Sequence, residues 1–258
     1  GPYANRPGHD LNYLAIAGVS SYTGRKNQGP LPLGIQVADI AGGSLHAVTG
    51  ILAAVIARQQ SGKGQRIDIS MTDAAFALNG MAGACALAGK VDPQADEMLL
   101  NGGSFYDYYP TRDGRYFSVG SLEPQFMLRL CEAIGQPELA PLGRSENTED
   151  QQRLKKVLTD TFKEHNFAHW QQVFAKVEAC VEPVLRISEA ASHPQLQARE
   201  MVVKVATPDG SVQPQIGSPI KFSDYQPRYP HIGVALGAHT EEILTAHGYD
   251  SQEVAKLR

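Results

Sequence analysis

Cysteine is scarce in this chain: three of 258 residues, Cys85, Cys131 and Cys180. An odd, widely spaced set argues against a disulfide framework or a zinc site and suits a reducing compartment, which leads us to expect a cytoplasmic protein with buried thiols. Long hydrophobic runs are missing too. The longest, GSLHAVTGILAAVIA from Gly43 to Ala57, is shorter than the roughly 20 apolar residues of a membrane span and contains His46, so it reads as a buried helix of a soluble protein. No signal peptide and no membrane association are expected. Neither charge dominates, with 23 Lys and Arg against 27 Asp and Glu, and a net charge of −4 gives no reason to expect a nucleic-acid partner. The chain also lacks a P-loop, a GxGxxG loop, a GxSxG elbow and any metal-ligand spacing among its eight histidines. Those absences leave no metal site to expect and turn attention to acid–base chemistry.

The apolar content of 42% is enough to bury a core. Leu45, Val48, Leu52 and Val55 follow a 3, 4, 3 spacing and form one helical face, which Gly62 in SGKGQ would end. RIDISM (Arg66 to Met71) alternates like a strand, with Asp68 as its polar face. TDAAFALNGMAGACALAG (Thr72 to Gly89) reads as one Ala-rich helix capped by Thr72 or Asp73. Short links between these pieces suggest a layered α/β unit. The polar stretch Gly89 to Ser104 reads as a linker or mobile loop. Aromatic residues on both sides of RDGR (Arg112 to Arg115) predict a hairpin. NFAHWQQVFAKVEA predicts a helix capped by Asn166, with Phe167, Trp170, Phe174 and Val177 on one stripe. Val202 to Phe222 returns to strand-and-turn patterning. The end carries two short helices, the first closed by His247–Gly248 and the second opened by an Asp250/Glu253 capping box. The organisation expected is 1–90 as part of a large domain, 91–103 as linker, 104–200 as a small α+β domain, and 201–258 as a return to the large domain.

Three acid–base residues sit in ambiguous settings. His9, between Gly8 and Asp10, is either a solvent-facing loop residue or a base tuned by the neighbouring carboxylate. Asp39, in VADIAGGSLHAV, precedes a glycine-rich entry into a helix; it either caps that helix or uses its amides to stay ionised, with Gly42 and Gly43 allowing a ligand close to the backbone. Glu123 precedes Pro124, so it falls at an N-cap position that glutamate rarely fills, which favours an exposed or functional role. GRK (Gly24 to Lys26) is a solvated loop or a phosphate contact. Met71 and Met81 are core residues or an adaptable acyl-binding surface.

The segments GPYANRPGHDLNYLAIAG, ADIAGGSLHAVTGILAAVIARQQSGKGQRIDISMTDA, GSLEPQF, EPVLRISEAASHPQLQAREM and GAHTEEILTAHGY occur in this order. They resemble the α-methylacyl-CoA racemases of the family III CoA-transferase superfamily. That resemblance implies an α/β fold with an incomplete Rossmann-like large domain and a smaller α+β domain, as in family III CoA-transferases. The chain would correspond to the C-terminal two-thirds, without the N-terminal Rossmann-like segment. It implies a fatty-acyl metabolic enzyme that takes an acyl-CoA thioester, needs no cofactor beyond the CoA its substrate carries, and forms an interlocked homodimer. By residue, it makes His9, Asp39 and Glu123 catalytic, with His9 and Asp39 from one subunit and Glu123 from the other. It places Asp10 and Tyr13 beside the thioester and pantetheine, with Gly42, Gly43 and Met71 also against substrate. CoA-transferases of the superfamily use the aspartate matching Asp39 as a nucleophile. Their glycine-rich loop has only a poor counterpart here, NGGS (Asn101 to Ser104). A third expectation is a fragment that is inactive alone.

Overall fold

The computed structural model describes residues 1–257, and the chain divides into two compact units, Gly1–Val184 and Leu185–Arg258. The first unit begins with α1 (Asp10–Ile16), a 3-10 turn (Val19–Ser21) and the tight hairpin β1 (Gly24–Arg25) and β2 (Gly29–Pro30). A π-helical segment (Ala38–Ser44) then runs directly into α2 (Leu45–Ser61), which Gly62 ends in the left-handed conformation, as its position after the apolar run predicts. Leu14, Ala17, Ala38 and Ala75 form a small core here, with Tyr13, Val19, Val37 and Met71 packed around it.

Three local readings change in this region. The helix is continuous from Ala38 to Ser61, 24 residues, and is long and apolar enough, by length and composition, to cross a membrane. None of the residues of α2 is buried: Leu45 and Leu52 are each 58% exposed. The apolar face is real, but among the described residues nothing covers it. RIDISM forms no strand. Its alternation is satisfied by a helix instead, since Ile67 and Ile69 lie against the Cα of Gly50, and no neighbouring strand is present among the described residues to complete a ladder. The Ala-rich helix is two helices, α3 (Met71–Ala77) and α4 (Gly80–Leu87), and its cap is Ser70, whose hydroxyl accepts from the Asp73 amide. The break is at Asn79. Its buried amide donates to the carbonyls of Ala17, Ala75 and Phe76 and its oxygen accepts from the Tyr22 hydroxyl at 2.5 Å, which joins α1, α3 and the loop after α1.

The rest of the first unit is built on β3 (Asp107–Pro110), β4 (Tyr116–Val119) and β5 (Val181–Pro183), an antiparallel sheet of order β3-β4-β5. RDGR makes the turn between β3 and β4, with Asp107 opposite Val119 and Pro110 opposite Tyr116. Helices α5 (Pro124–Ala133), α6 (Thr148–Glu164) and α7 (Phe167–Phe174) cover one face. Phe162 lies at the centre of the core, its ring against those of Tyr109, Phe117, Trp170 and Phe174. Asn166 caps α7 through the His169 amide; Phe167, Trp170 and Phe174 are buried on one stripe, while Val177 lies beyond the helix end. Of the thiols only Cys131 is buried, where burial and Glu138 push it up to about 11; Cys85 and Cys180 are exposed.

Residues 91–104 have no helix or strand, yet they are tied down rather than free. Asn101 donates to the carbonyls of Tyr22 and Gln94, and Asp96 pairs with Arg25 at 2.9 Å. NGGS follows from this packing: Gly102 has φ +102, and a Cβ there would meet Asp96 Oδ1 and Arg25. The centre of the arrangement is Asp107, only 6% exposed, which accepts from Arg25 (2.8 and 2.5 Å) and from Lys155 (2.6 Å). GRK is therefore neither a solvated loop nor a phosphate contact at Arg25, because its guanidinium is consumed inside the protein.

The second unit contains α8 (Ile187–Ala191), α9 (Pro194–Ala198), the hairpin β6 (Val202–Ala206) and β7 (Val212–Ile216), α10 (Thr240–Ala246) and α11 (Ser251–Leu257). The Asp250/Glu253 capping box forms as the spacing predicts.

Burial alone would raise the Asp107 carboxyl, but hydrogen bonds from Arg25, Lys155 and the Tyr108 amide outweigh it and hold the group below its ordinary value. A depressed folded-state value stabilises the protein above about pH 4, and that stabilisation is lost as pH falls through the folded-state value. Asp107→Asn is expected to cost about 3 kcal/mol at neutral pH. In urea melts the gap to the unsubstituted protein should narrow as pH is lowered from 7 towards 3; an unchanged gap would exclude the ionised carboxylate as the source.

Candidate active site

His9 is the N-cap of α1, in extended conformation, with its backbone N–H donating to Asn12 Oδ1 at 3.0 Å. It is exposed. The Tyr13 hydroxyl donates to the Gly8 carbonyl at 3.0 Å and its ring lies over the Cα of Gly8, so Tyr13 fixes the approach to His9 from one turn along α1. Asp10 does something the sequence does not announce. Its Oδ1 accepts from the Ala38 amide at 2.6 Å and the Asp39 amide at 3.2 Å. A helix start leaves its first amides without internal partners, and here a carboxylate from another helix supplies one. One side chain thus ties the residue next to His9 to the backbone of Asp39.

Asp39 is half-buried in the first turn of the π-helical segment, and its carbonyl accepts from Ser44 Oγ at 3.0 Å. Gly42 is buried and its Cα faces Met71 O and Ala74 Cβ, while Gly43 faces the Met71 side chain. Close helix–helix approach accounts for both glycines, and Met71 is a packing residue of the small core.

Glu123 caps α5 with extended backbone and Pro124 at the first helical position; its carboxylate makes no capping bond and is exposed. The turn before it is held firmly: Ser121 Oγ donates to Ala179 O at 2.5 Å and the Gly120 amide to Cys180 O at 2.9 Å. Among the described residues no hydrogen bond or ion pair joins Glu123 to His9 or Asp39. The structure therefore brings the His9 and Asp39 segments together and holds Glu123 elsewhere, in the sheet-and-helix part of the unit. A cavity of about 580 Å³ lies beside that turn, its lining including Leu31, Leu33, Leu100, Tyr106, Gly120 and Cys180. Burial raises the Cys180 thiol, and the charges of Glu123 and then Glu182 raise it further. Sequence reading missed this cavity and the Arg25–Asp107–Lys155 cluster; the one available signal was an acid in the otherwise aromatic SFYDYYP.

The mixed α/β chain with short antiparallel sheets thus places His9 and Asp39 at two helix starts joined through Asp10, and Glu123 on a separate strand–helix turn. The CoA-transferase family III model matches residues 1–240, and the chain belongs to that family. It is 34% identical over 261 residues to the alpha-methylacyl-CoA racemase of Homo sapiens, which covers all of this chain and 66% of that protein. It is 32% identical to the acetyl-CoA:oxalate CoA-transferase of Acetobacter aceti, over 87% of this chain and 57% of that one. A crystal structure of a CaiB/BaiF family protein from Brucella suis superposes with a TM-score of 0.75 at 25% identity, covering 95% of this chain and 64% of that one. The chain thus spans about two-thirds of the length of these proteins or less.

Asp10→Ala is expected to cost about 1.5–3 kcal/mol and to speed hydrogen exchange at the Ala38 and Asp39 amides. Asp10→Asn, which keeps an acceptor oxygen, should restore most of the protection. Equal exchange in all three proteins would remove the clamp from the account.

Proposed function

We propose that the full-length protein is a racemase of 2-methylacyl-CoA thioesters. The observation that carries this reading is the Asp10 carboxylate, which holds the segment bearing His9 against the amide of Asp39, in a chain that is 34% identical to a racemase of this name. Inverting a carbon centre by proton transfer needs two groups of complementary protonation state at opposite faces of one carbon. In one direction the neutral His9 imidazole takes the α-proton, leaving an enolate, and the Asp39 carboxylic acid returns a proton to the opposite face. In the other direction the roles exchange. No atom or electron is gained or lost overall. Glu123, in this reading, comes from a second subunit and orients and stabilises the His9 imidazolium. That accounts for a carboxylate which is exposed and uncapped within its own chain. The same arrangement supplies a use for the uncovered faces of α2: in the dimeric enzyme they pack against protein.

Transfer of CoA to a carboxylic acid, with Asp39 as nucleophile, is the second reading, favoured by the likeness to the acetyl-CoA:oxalate CoA-transferase. The two separate cleanly. Full-length protein incubated with an (R)-2-methylacyl-CoA in D₂O is expected to incorporate α-deuterium and lose chirality, and His9→Ala or Asp39→Asn should slow this about 10²–10⁴-fold. Transfer of CoA to an added carboxylate without α-exchange, together with hydroxylamine-trapped acyl groups on Asp39, would replace the racemase by the transferase.

A further inference from the structure

We propose that Arg25, Asp107 and Lys155 are specificity-determining residues: their ion cluster shapes the 580 Å³ cavity into a pocket for an uncharged apolar chain. The cavity volume lies within the range of small-molecule sites, roughly 300–1,000 Å³. Its walls come from three pieces of chain far apart in sequence: Gly24 and Arg25 with Leu31 and Leu33, then Leu100 to Gly102, then the β3–β4 edge. Each piece is bonded to the same cluster. Arg25 brings in the first, Asp107 belongs to β3, and Lys155 reaches both Asp107 (2.6 Å) and the Gly102 carbonyl (2.5 Å). Asp96 adds a second carboxylate on Arg25 and accepts from the Lys26 amide at 2.7 Å.

The chemistry of the occupant follows from what these charges already do. The ionic groups on the wall, Arg25 and Asp107, are neutralised by each other, by Asp96 and by Lys155, so they offer an anionic or cationic ligand no free counter-charge. The rest of the lining carries no charge: Leu31, Leu33, Leu100, Tyr106 and Tyr108, all between 36% and 59% exposed, supply most of its apolar surface, beside the uncharged polar side chains of Thr23, Asn101 and Ser118. Desolvating such surface against a hydrocarbon chain is favourable, and against a carboxylate it is not. This inference rests on the proposed acyl-CoA activity for the identity of the chain: the acyl portion remote from the thioester.

Cys180 lines the cavity and provides a readout that needs no turnover. In full-length Cys85→Ser protein, iodoacetamide labelling of Cys180 would be followed by peptide mass spectrometry at about pH 8.5, where a raised thiol still reacts; Cys131 is buried and stays silent. Saturating 2-methyldecanoyl-CoA is expected to slow labelling about tenfold, while succinyl-CoA and free CoA leave it within about twofold. Arg25→Met and Lys155→Met should abolish the difference between the two acyl-CoAs. Arg25→Lys, which keeps the charge with fewer bonds, should reduce it, with thermal melts reporting that each variant is folded. Equal protection by all three ligands, protection by none, or an undiminished difference in Arg25→Met would overturn the proposal. Two proteins tell the two readings apart: His9→Ala should lose α-exchange while retaining protection, whereas α-exchange without protection in protein that keeps His9 would defeat the cavity and leave the racemase standing.

Discussion

The hydrogen bonds from the Ala38 and Asp39 amides to Asp10 are the constraint on which the arrangement of the first helices of this chain depends. A carboxylate accepting from backbone amides at a helix start is stabilised by charge-assisted hydrogen bonding and by the helix dipole together, worth about 1.5–3 kcal/mol for the bonding alone. The core beneath it is made almost wholly of alanines and one leucine, Leu14, Ala17, Ala38 and Ala75. Small side chains bury little area, so packing alone fixes the distance between α1 and the π-helical segment weakly. A polar bond with defined length and direction supplies the precision that such a core cannot. This is also why Asp10 follows His9 immediately: the clamp and the proposed base share one turn of backbone, so holding one holds the other.

A second carboxylate organises the other half in a different manner. Asp107 is nearly buried, with two cations around it, and it gathers strand, loop and hairpin at one point. An aromatic core centred on Phe162 lies on the helix-covered side of the same sheet, with Phe117 of β4 in contact with it. The two devices divide the work. Aromatic burial stabilises the sheet-and-helix body, while the ion cluster determines where irregular segments rest on it, which apolar contacts, being non-directional, do poorly.

Local features of this fold were legible in the sequence, and the reason is that their causes are local. Asn166, Gly62, the Glu123–Pro124 pair and the Asp250/Glu253 box all occupy the positions that capping geometry assigns them, and the RDGR turn closes its hairpin. The failures share the opposite property. Ile67 and Ile69 alternate because a helix with a glycine at the contact lies beside them, and no window of sequence shows that neighbour. The Ala-rich helix breaks at Asn79, whose side-chain amide bonds the Ala17 carbonyl, 62 residues away, together with the Ala75 and Phe76 carbonyls of the helix it ends. Arg25 looked solvated because its partners are 71 and 82 residues distant. At the site, motif resemblance marked His9, Asp39 and Glu123, while the part Asp10 plays became visible only once α1 and the π-helical segment were placed together.

The placement of Glu123 bears on how such a site would assemble. Its turn is held by Ser121 and Gly120 against the residues before β5, so it is presented rigidly at the edge of the sheet-and-helix body. Yet it is exposed and bonded to nothing at the helix start it caps. A carboxylate on a firmly held turn, itself unpaired, gains nothing for the stability of its own chain, and glutamate is a poor cap. The arrangement makes sense if the missing partner is a cation or a developing cation brought to it from outside the chain, as His9 of a second copy would be on accepting a proton. The same logic applies to α2, whose apolar residues stand in water along two faces. A surface of that kind costs free energy unless something covers it. Both features, one polar and one apolar, are open in the same way, and in the proposed dimer a single act of association would complete both.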